Sequence, residues 1–133
     1  MDLSSFKNTA SEGEWLNINH PVTGEPTDIR IKLVGMDSPE LVSRQRKYAS
    51  AKLSEMVSRA NKRGDIPKAD TEDALDASFE LCCASVVAWE NIEHEEGQLP
   101  CTPDNVRDVF SSHRWLMEQC SMFFQDRANY LGN

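Results

Sequence analysis

Thr71-Glu72-Asp73-Ala74-Leu75-Asp76-Ala77-Ser78-Phe79-Glu80-Leu81-Cys82-Cys83-Ala84-Ser85-Val86-Val87-Ala88-Trp89-Glu90 is the stretch on which the fold turns. Within it Leu75, Phe79, Cys82, Val86 and Trp89 step by four, three, four and three, the spacing that aligns one face of a helix. Leu81, Cys83, Ala84, Val87 and Ala88 widen that apolar surface. Thr71 opens the run, with Glu72 and Asp73 where the positive end of a helix favours acids. The pattern predicts a helix from Thr71 through a polar end over 90–96, stopped by Gly97. Apolar on most sides, it would be the central helix of the fold.

Upstream, Ser38-Pro39-Glu40 supplies a cap, a proline suited to the first helical position and an acid in the first turn. A helix is predicted from there to about residue 62, closed by Gly64 and Pro67, with Leu41, Tyr48, Leu53, Met56, Val57 and Ala60 near one face. Before it, Trp15-Leu16-Asn17-Ile18-Asn19 alternates as a strand does, His20 to Pro26 is dense in turn residues, and Asp28 to Gly35 alternates again. Ile29, Ile31 and Leu33 point one way, Arg30 and Lys32 the other, which gives a β-hairpin with one covered face. A lone hairpin is marginal in water, so a helix or another subunit must cover it. Downstream, Gln98-Leu99-Pro100-Cys101 is an extended link, and Thr102-Pro103-Asp104 repeats the helix start. A short helix carries Val106, Val109 and Phe110 inward. Ser111-Ser112-His113 breaks it, and a last helix over 114–131 carries Trp115, Leu116, Cys120, Phe123, Phe124 and Leu131. The expected fold is mainly α with a small N-terminal β-hairpin (α+β), about four helices packed around a central one. One domain covers 1–133: a loose arm over 1–12, the hairpin over 13–36 and helices over 37–133.

A chain of 133 residues suits one domain. Its 22 acids against 14 bases leave a net charge of −8, which disfavours non-specific binding to nucleic acid. Seven of the 14 bases lie in 44–63, followed by ten acids in 65–96. Two antiparallel helices with complementary faces explain this distribution; a basic stripe for RNA is the alternative. No run approaches the roughly 20 apolar residues of a membrane helix. The first residues show neither a basic segment nor an apolar run, so the four cysteines are expected to stay reduced in a cytosol.

Cys82, Cys83, His94, Cys101, His113 and Cys120 are ligand types, yet there is no CxxC and no HxxxH, and adjacent Cys82 and Cys83 diverge on a helix. A thiol nucleophile would need a neighbouring base, and only His94 and His113 are available to Cys101. The acidic runs at 70–76 and 93–96 read as solvated helix ends, without the alternating acids and mid-loop glycine of a calcium loop. No GxGxxG or GxxxxGK[ST] appears. The residues thus point to a binding protein, not an enzyme, with no metal or cofactor. The aromatics gather near the C-terminus: Trp115, Phe123, Phe124 and Tyr130. One helix cannot aim Phe123 and Phe124 in the same direction. Core placement for both is the plainer reading, and a partner surface for one is the sharper. The hairpin's open edge offers strand addition, so a homo-oligomer is a further alternative.

Three segments carry a family resemblance: Val86-Val87-Ala88-Trp89-Glu90-Asn91-Ile92, Gly97-Gln98-Leu99-Pro100-Cys101-Thr102-Pro103-Asp104-Asn105-Val106 and Asp126-Arg127-Ala128-Asn129-Tyr130-Leu131. Together they resemble the tail assembly chaperones of long-tailed bacteriophages, over about 50 residues of the chain. The resemblance implies a protein of the host bacterium's cytoplasm, absent from the finished virion. It would coat the aggregation-prone tape measure protein and help recruit tail tube subunits. It implies no active site and no fixed set of contact residues. Within that reading Trp115, Phe123 and Phe124 are the candidate partner contacts. The competing reading is a structural virion component, such as a head–tail connector or a tail-completion protein.

Overall fold

The computed structural model describes residues 3, 7–63, 71–95 and 97–132, without the side chains of 7, 52, 59–63 and 71–76. The chain begins with β1 (Lys7–Asn8), β2 (Glu14–Asn19) and β3 (Pro26–Leu33), followed by α1 (Pro39–Arg63) and α2 (Thr71–Ser85). Next come β4 (Val86–Glu90), β5 (Glu93–His94) and β6 (Gly97–Gln98), then α3 (Pro103–Ser112) and α4 (Arg114–Gln125). A short 3-10 turn, Arg127–Asn129, leads to β7 (Leu131–Gly132).

The expected hairpin is present but is two strands of a three-stranded antiparallel sheet, ordered β2-β3-β4. The third strand is the end of the stretch read as one helix. Helix α2 stops at Ser85, and Val86 to Glu90 pair with β3, placing Ile31 opposite Trp89 and Leu33 opposite Val86. Two causes are visible, one local and one tertiary. Buried Ser85 turns its hydroxyl back to donate to the Cys82 carbonyl at 2.6 Å, a bond that competes with continued helix. The Ser85 carbonyl instead accepts from Val34 N–H at 2.8 Å, tying the helix end to the strand β3 continuation. The β-branched pair Val86 and Val87 with Trp89 then suits a pleated surface. The strand ends at Asn91, in the left-handed region at φ 64°, whose side-chain amide donates to the Asp28 carbonyl at 2.7 Å. The expected polar helix end at 90–96 is therefore the close of a strand followed by the small β5–β6 pair; residue 96 lies outside the described residues.

The turn between β2 and β3 is built by His20. Its Nδ1 accepts from the N–H groups of Val22 and Thr23, while its own N–H donates to the Glu25 carbonyl. Ile31 and Leu33 are fully buried, on the face anticipated from their alternation. On the opposite face the Arg30 guanidinium lies 4.7 Å from the Trp15 ring centroid. Helix α4 packs on β2 and β3, so a helix of the same chain covers the sheet. Helix α2 touches α1, α3 and α4. Ile18, Ile31, Leu33, Leu41, Cys82, Val106, Phe110, Leu116, Cys120 and Phe124 form the buried core.

Both ends of the chain depart from expectation. The last helix runs to Gln125, not to 131, because Asp126 caps the 3-10 turn through Ala128 N–H. Beyond it β7 pairs antiparallel with β1, Lys7 opposite Gly132 and Asn8 opposite Leu131. The arm expected to be loose is thus held from Lys7 onward; residues 1, 2 and 4–6 lie outside the described ones. Ala10 is buried, its carbonyl accepts from Gly35 N–H, and the buried Tyr130 hydroxyl donates to the Leu33 carbonyl at 3.0 Å. The first helix covers its expected span, but Gly64 and Pro67, its expected stops, lie outside the described residues.

Candidate partner-binding site

The three aromatic candidates fall on α4, and that helix sorts them. Leu116, Cys120 and Phe124 recur every four residues on its inward stripe and are all buried. Phe124 is 1% exposed, so it belongs to the core and presents nothing to a partner. Trp115 and Phe123 are half-buried, each packed against the core. Trp115 stands edge-on to His113 with ring centroids 6.3 Å apart. Phe123 stands edge-on to Tyr130 at 5.7 Å. Eight residues of helix separate the two by roughly 12 Å along the axis and roughly 80° around it. They border two different patches, one at each end of α4.

The link that carries much of the family resemblance is held by its own side chains. Trp89 Nε1 donates to the Leu99 carbonyl at 2.7 Å, and Asn105 Nδ2 to the Pro100 carbonyl at 2.9 Å. Thr102 caps α3, its hydroxyl accepting from Asn105 N–H at 3.2 Å. Arg107 on α3 grips Glu80 on α2 through two guanidinium–carboxylate bonds. The hydrogen bonds and charge of Arg107 hold the Glu80 carboxyl below its ordinary range.

A cavity of about 340 Å³ opens here, with Cys83, Cys101, Val86, Val87 and Pro103 in its wall. Burial pushes the Cys83 thiol up to about 11 and also raises Cys101. Nucleophilic thiols require the opposite shift. Burial likewise raises Cys82 to about 12 and Cys120 further. Among the described residues no group of three or more His, Cys, Asp or Glu side chains is placed to hold a metal ion. Nor is any described helix long and apolar enough to cross a membrane.

Elsewhere, α1 exposes a run of large apolar side chains. Leu53, Met56 and Val57, grouped by their spacing near one face of α1, are 64%, 37% and 51% exposed. From Ser43 to Tyr48 the helix is already exposed at every residue but the half-buried Gln45. Between α1 and α2 a groove of about 570 Å³ is walled by Arg44, Lys47, Tyr48, Ala77 and Leu81. Met122 on α4 is also 77% exposed. The phase of Leu116, Cys120 and Phe124 already places Met122 about 200° from Cys120, so its position was readable. The exposure of the α1 stripe had no such signal, because an amphipathic pattern does not reveal whether its chain supplies the cover.

No protein-family model, curated protein or solved structure matches the chain.

Proposed function

We propose that the protein is a non-enzymatic tail assembly chaperone of a long-tailed bacteriophage, binding the tape measure protein and aiding tail tube assembly in the host cytoplasm. The family assignment rests on the resemblance of 86–92, 97–106 and 126–131. The observation that carries a binding role is the uncovered apolar stripe Leu53, Met56 and Val57 on a 25-residue helix. Scattered apolar side chains are ordinary on a surface, but three large ones at helical spacing form a seam that fits another helix. A tape measure protein, as a long helical chain with apolar stripes, would offer such a seam. The net charge of −8 would keep the covered chain dispersed. Trp115 and Phe123 retain partly open edges and remain secondary contacts in this reading.

The test is co-expression with the tape measure protein encoded in the same tail gene cluster. The tape measure should become soluble and co-purify with this chain, and purified virions should lack the chain by mass spectrometry. A tape measure that stays insoluble and unbound would end the chaperone reading. Recovery of the chain from virions would replace it with a structural component of the particle.

A further inference from the structure

Helix α1 differs in charge from the rest of the molecule. Its residues Pro39–Arg63 contain seven bases (Arg44, Arg46, Lys47, Lys52, Arg59, Lys62, Arg63) against Glu40 and Glu55, a net +5. With −8 for the whole chain, the remainder carries −13. Arg44 pairs with Glu40 at 3.3 Å, but Arg46 and Lys47 have no ion-pair partner among the described residues. The uncovered apolar stripe thus lies on the one strongly basic element of an acidic protein.

We propose that the Leu53–Met56–Val57 stripe of α1 is a docking surface for an acidic amphipathic helix of another protein. The inference rests on the binding role proposed above and names the partner's chemistry. Geometry selects a helix: apolar side chains at i, i+3 and i+4 interlock with the same spacing on a partner. The exposed part of α1 reaches from Ser43 to Ser58, roughly 22 Å at 1.5 Å per residue, enough for about four partner turns. Charge selects acidity. Two copies of this chain pairing through α1 would set +5 against +5, whereas acidic residues beside the partner's stripe would meet Arg46 and Lys47. Long-range attraction between the basic helix and an acidic partner would also speed their encounter, in a salt-dependent way.

The experiment uses the full chain and a fluorescein-labelled synthetic peptide about six turns long, with leucine and alanine on one face and glutamate on the other. Anisotropy should show saturable binding that weakens as salt rises. The double substitution Leu53→Ser, Val57→Ser should weaken it by about tenfold or more, the loss expected when apolar anchors are removed. Arg46→Glu with Lys47→Glu should lower affinity and flatten the salt dependence. Unchanged circular dichroism melts would show that both variants remain folded. The proposal is overturned if the peptide does not saturate, if its scrambled or lysine-substituted version binds equally well, or if the folded variants bind like the parent. Salt-sensitive binding of mixed-sequence RNA that displaces the peptide would reassign the helix to nucleic acid. Concentration-dependent self-association abolished by Leu53→Ser, Val57→Ser would reassign the stripe to a second copy. If the tape measure co-purifies with the parent chain while the peptide fails to bind, the docking surface is wrong and the chaperone reading stands.

Discussion

Helices α1 and α4 are both amphipathic, yet they sit in opposite circumstances. Helix α4 has a sheet beneath it and α2 and α3 beside it, so its stripe of Leu116, Cys120 and Phe124, spaced four residues apart, disappears into the core. Helix α1 is buried at Leu41 near its start, then extends along α2 with Leu53, Met56 and Val57 in the open. The pattern on each helix states that an apolar face exists. Only the surrounding chain decides whether that face stabilises the fold or remains available to another molecule.

The contrast breaks most visibly at Phe124. Phe124→Ala should cost about 3–5 kcal/mol by opening a cavity between α4 and the sheet, read as a large fall in the chemical denaturation midpoint. A midpoint close to the parent's would place Phe124 on the surface after all.

The second effect is set by pH. Desolvation keeps the buried thiols protonated, with Cys82 raised from 9.0 to about 12 by burial and by its neighbour Cys83. The folded chain holds protons that the unfolded chain releases, so this contribution is complete below about pH 9 and is lost as pH climbs toward 12. For Cys82 the slope reaches about 1.4 kcal/mol per pH unit. The melting temperature should therefore drop steeply above pH 9, and Cys82→Ala should make the drop shallower. A parent profile flat to pH 11 would contradict the burial of this helix face.

A smaller effect is expected where the two chain ends meet. A Cβ at Gly35 would come within 2.9 Å of the Ala10 Cβ and 3.0 Å of the Tyr130 ring. Gly35→Ala should destabilise by about 1–3 kcal/mol and raise amide exchange in β1 and β7 first. Equal protection of those strands in both proteins would show that they are held independently of Tyr130.

The smallest effect sharpens the comparison from the other side. Leu53→Ser with Val57→Ser should move the melting temperature by no more than about 0.5 kcal/mol of stability permits, since neither side chain is buried by the fold. A large loss would mean that α1 is integral to the core.

Much of this arrangement is legible in the residues. The starts of α1 and α3 follow from Ser38-Pro39 and Thr102-Pro103, and the covered face of β3 from the alternation of Ile29, Ile31 and Leu33. The stretch over 71–90 was ambiguous for a physical reason. Val86 and Trp89 satisfy the helical period up to Leu75, Phe79 and Cys82, while Val86-Val87 equally suits a strand. What separates helix from strand there is a tertiary bond, Val34 N–H to the Ser85 carbonyl, which no local pattern contains. The pairing of β1 with β7 is hidden for the same reason, since two-residue strands more than a hundred positions apart leave no periodic trace. Of the aromatic contacts, Phe124 was separable from Phe123 only by the phase of the helix, and that phase puts Phe124 with Leu116 and Cys120.

The antiparallel pairing of Lys7 with Gly132 has a mechanical consequence. Lys7 and Gly132 lie at the same end of the clasp, so tension applied through them runs along its hydrogen bonds and not along the strands. Such a pair unzips one bond at a time and does not resist as a sheared ladder would. Under load the β1–β7 clasp would yield first, and the Tyr130 hydroxyl at Leu33 would be the next tie to take the strain.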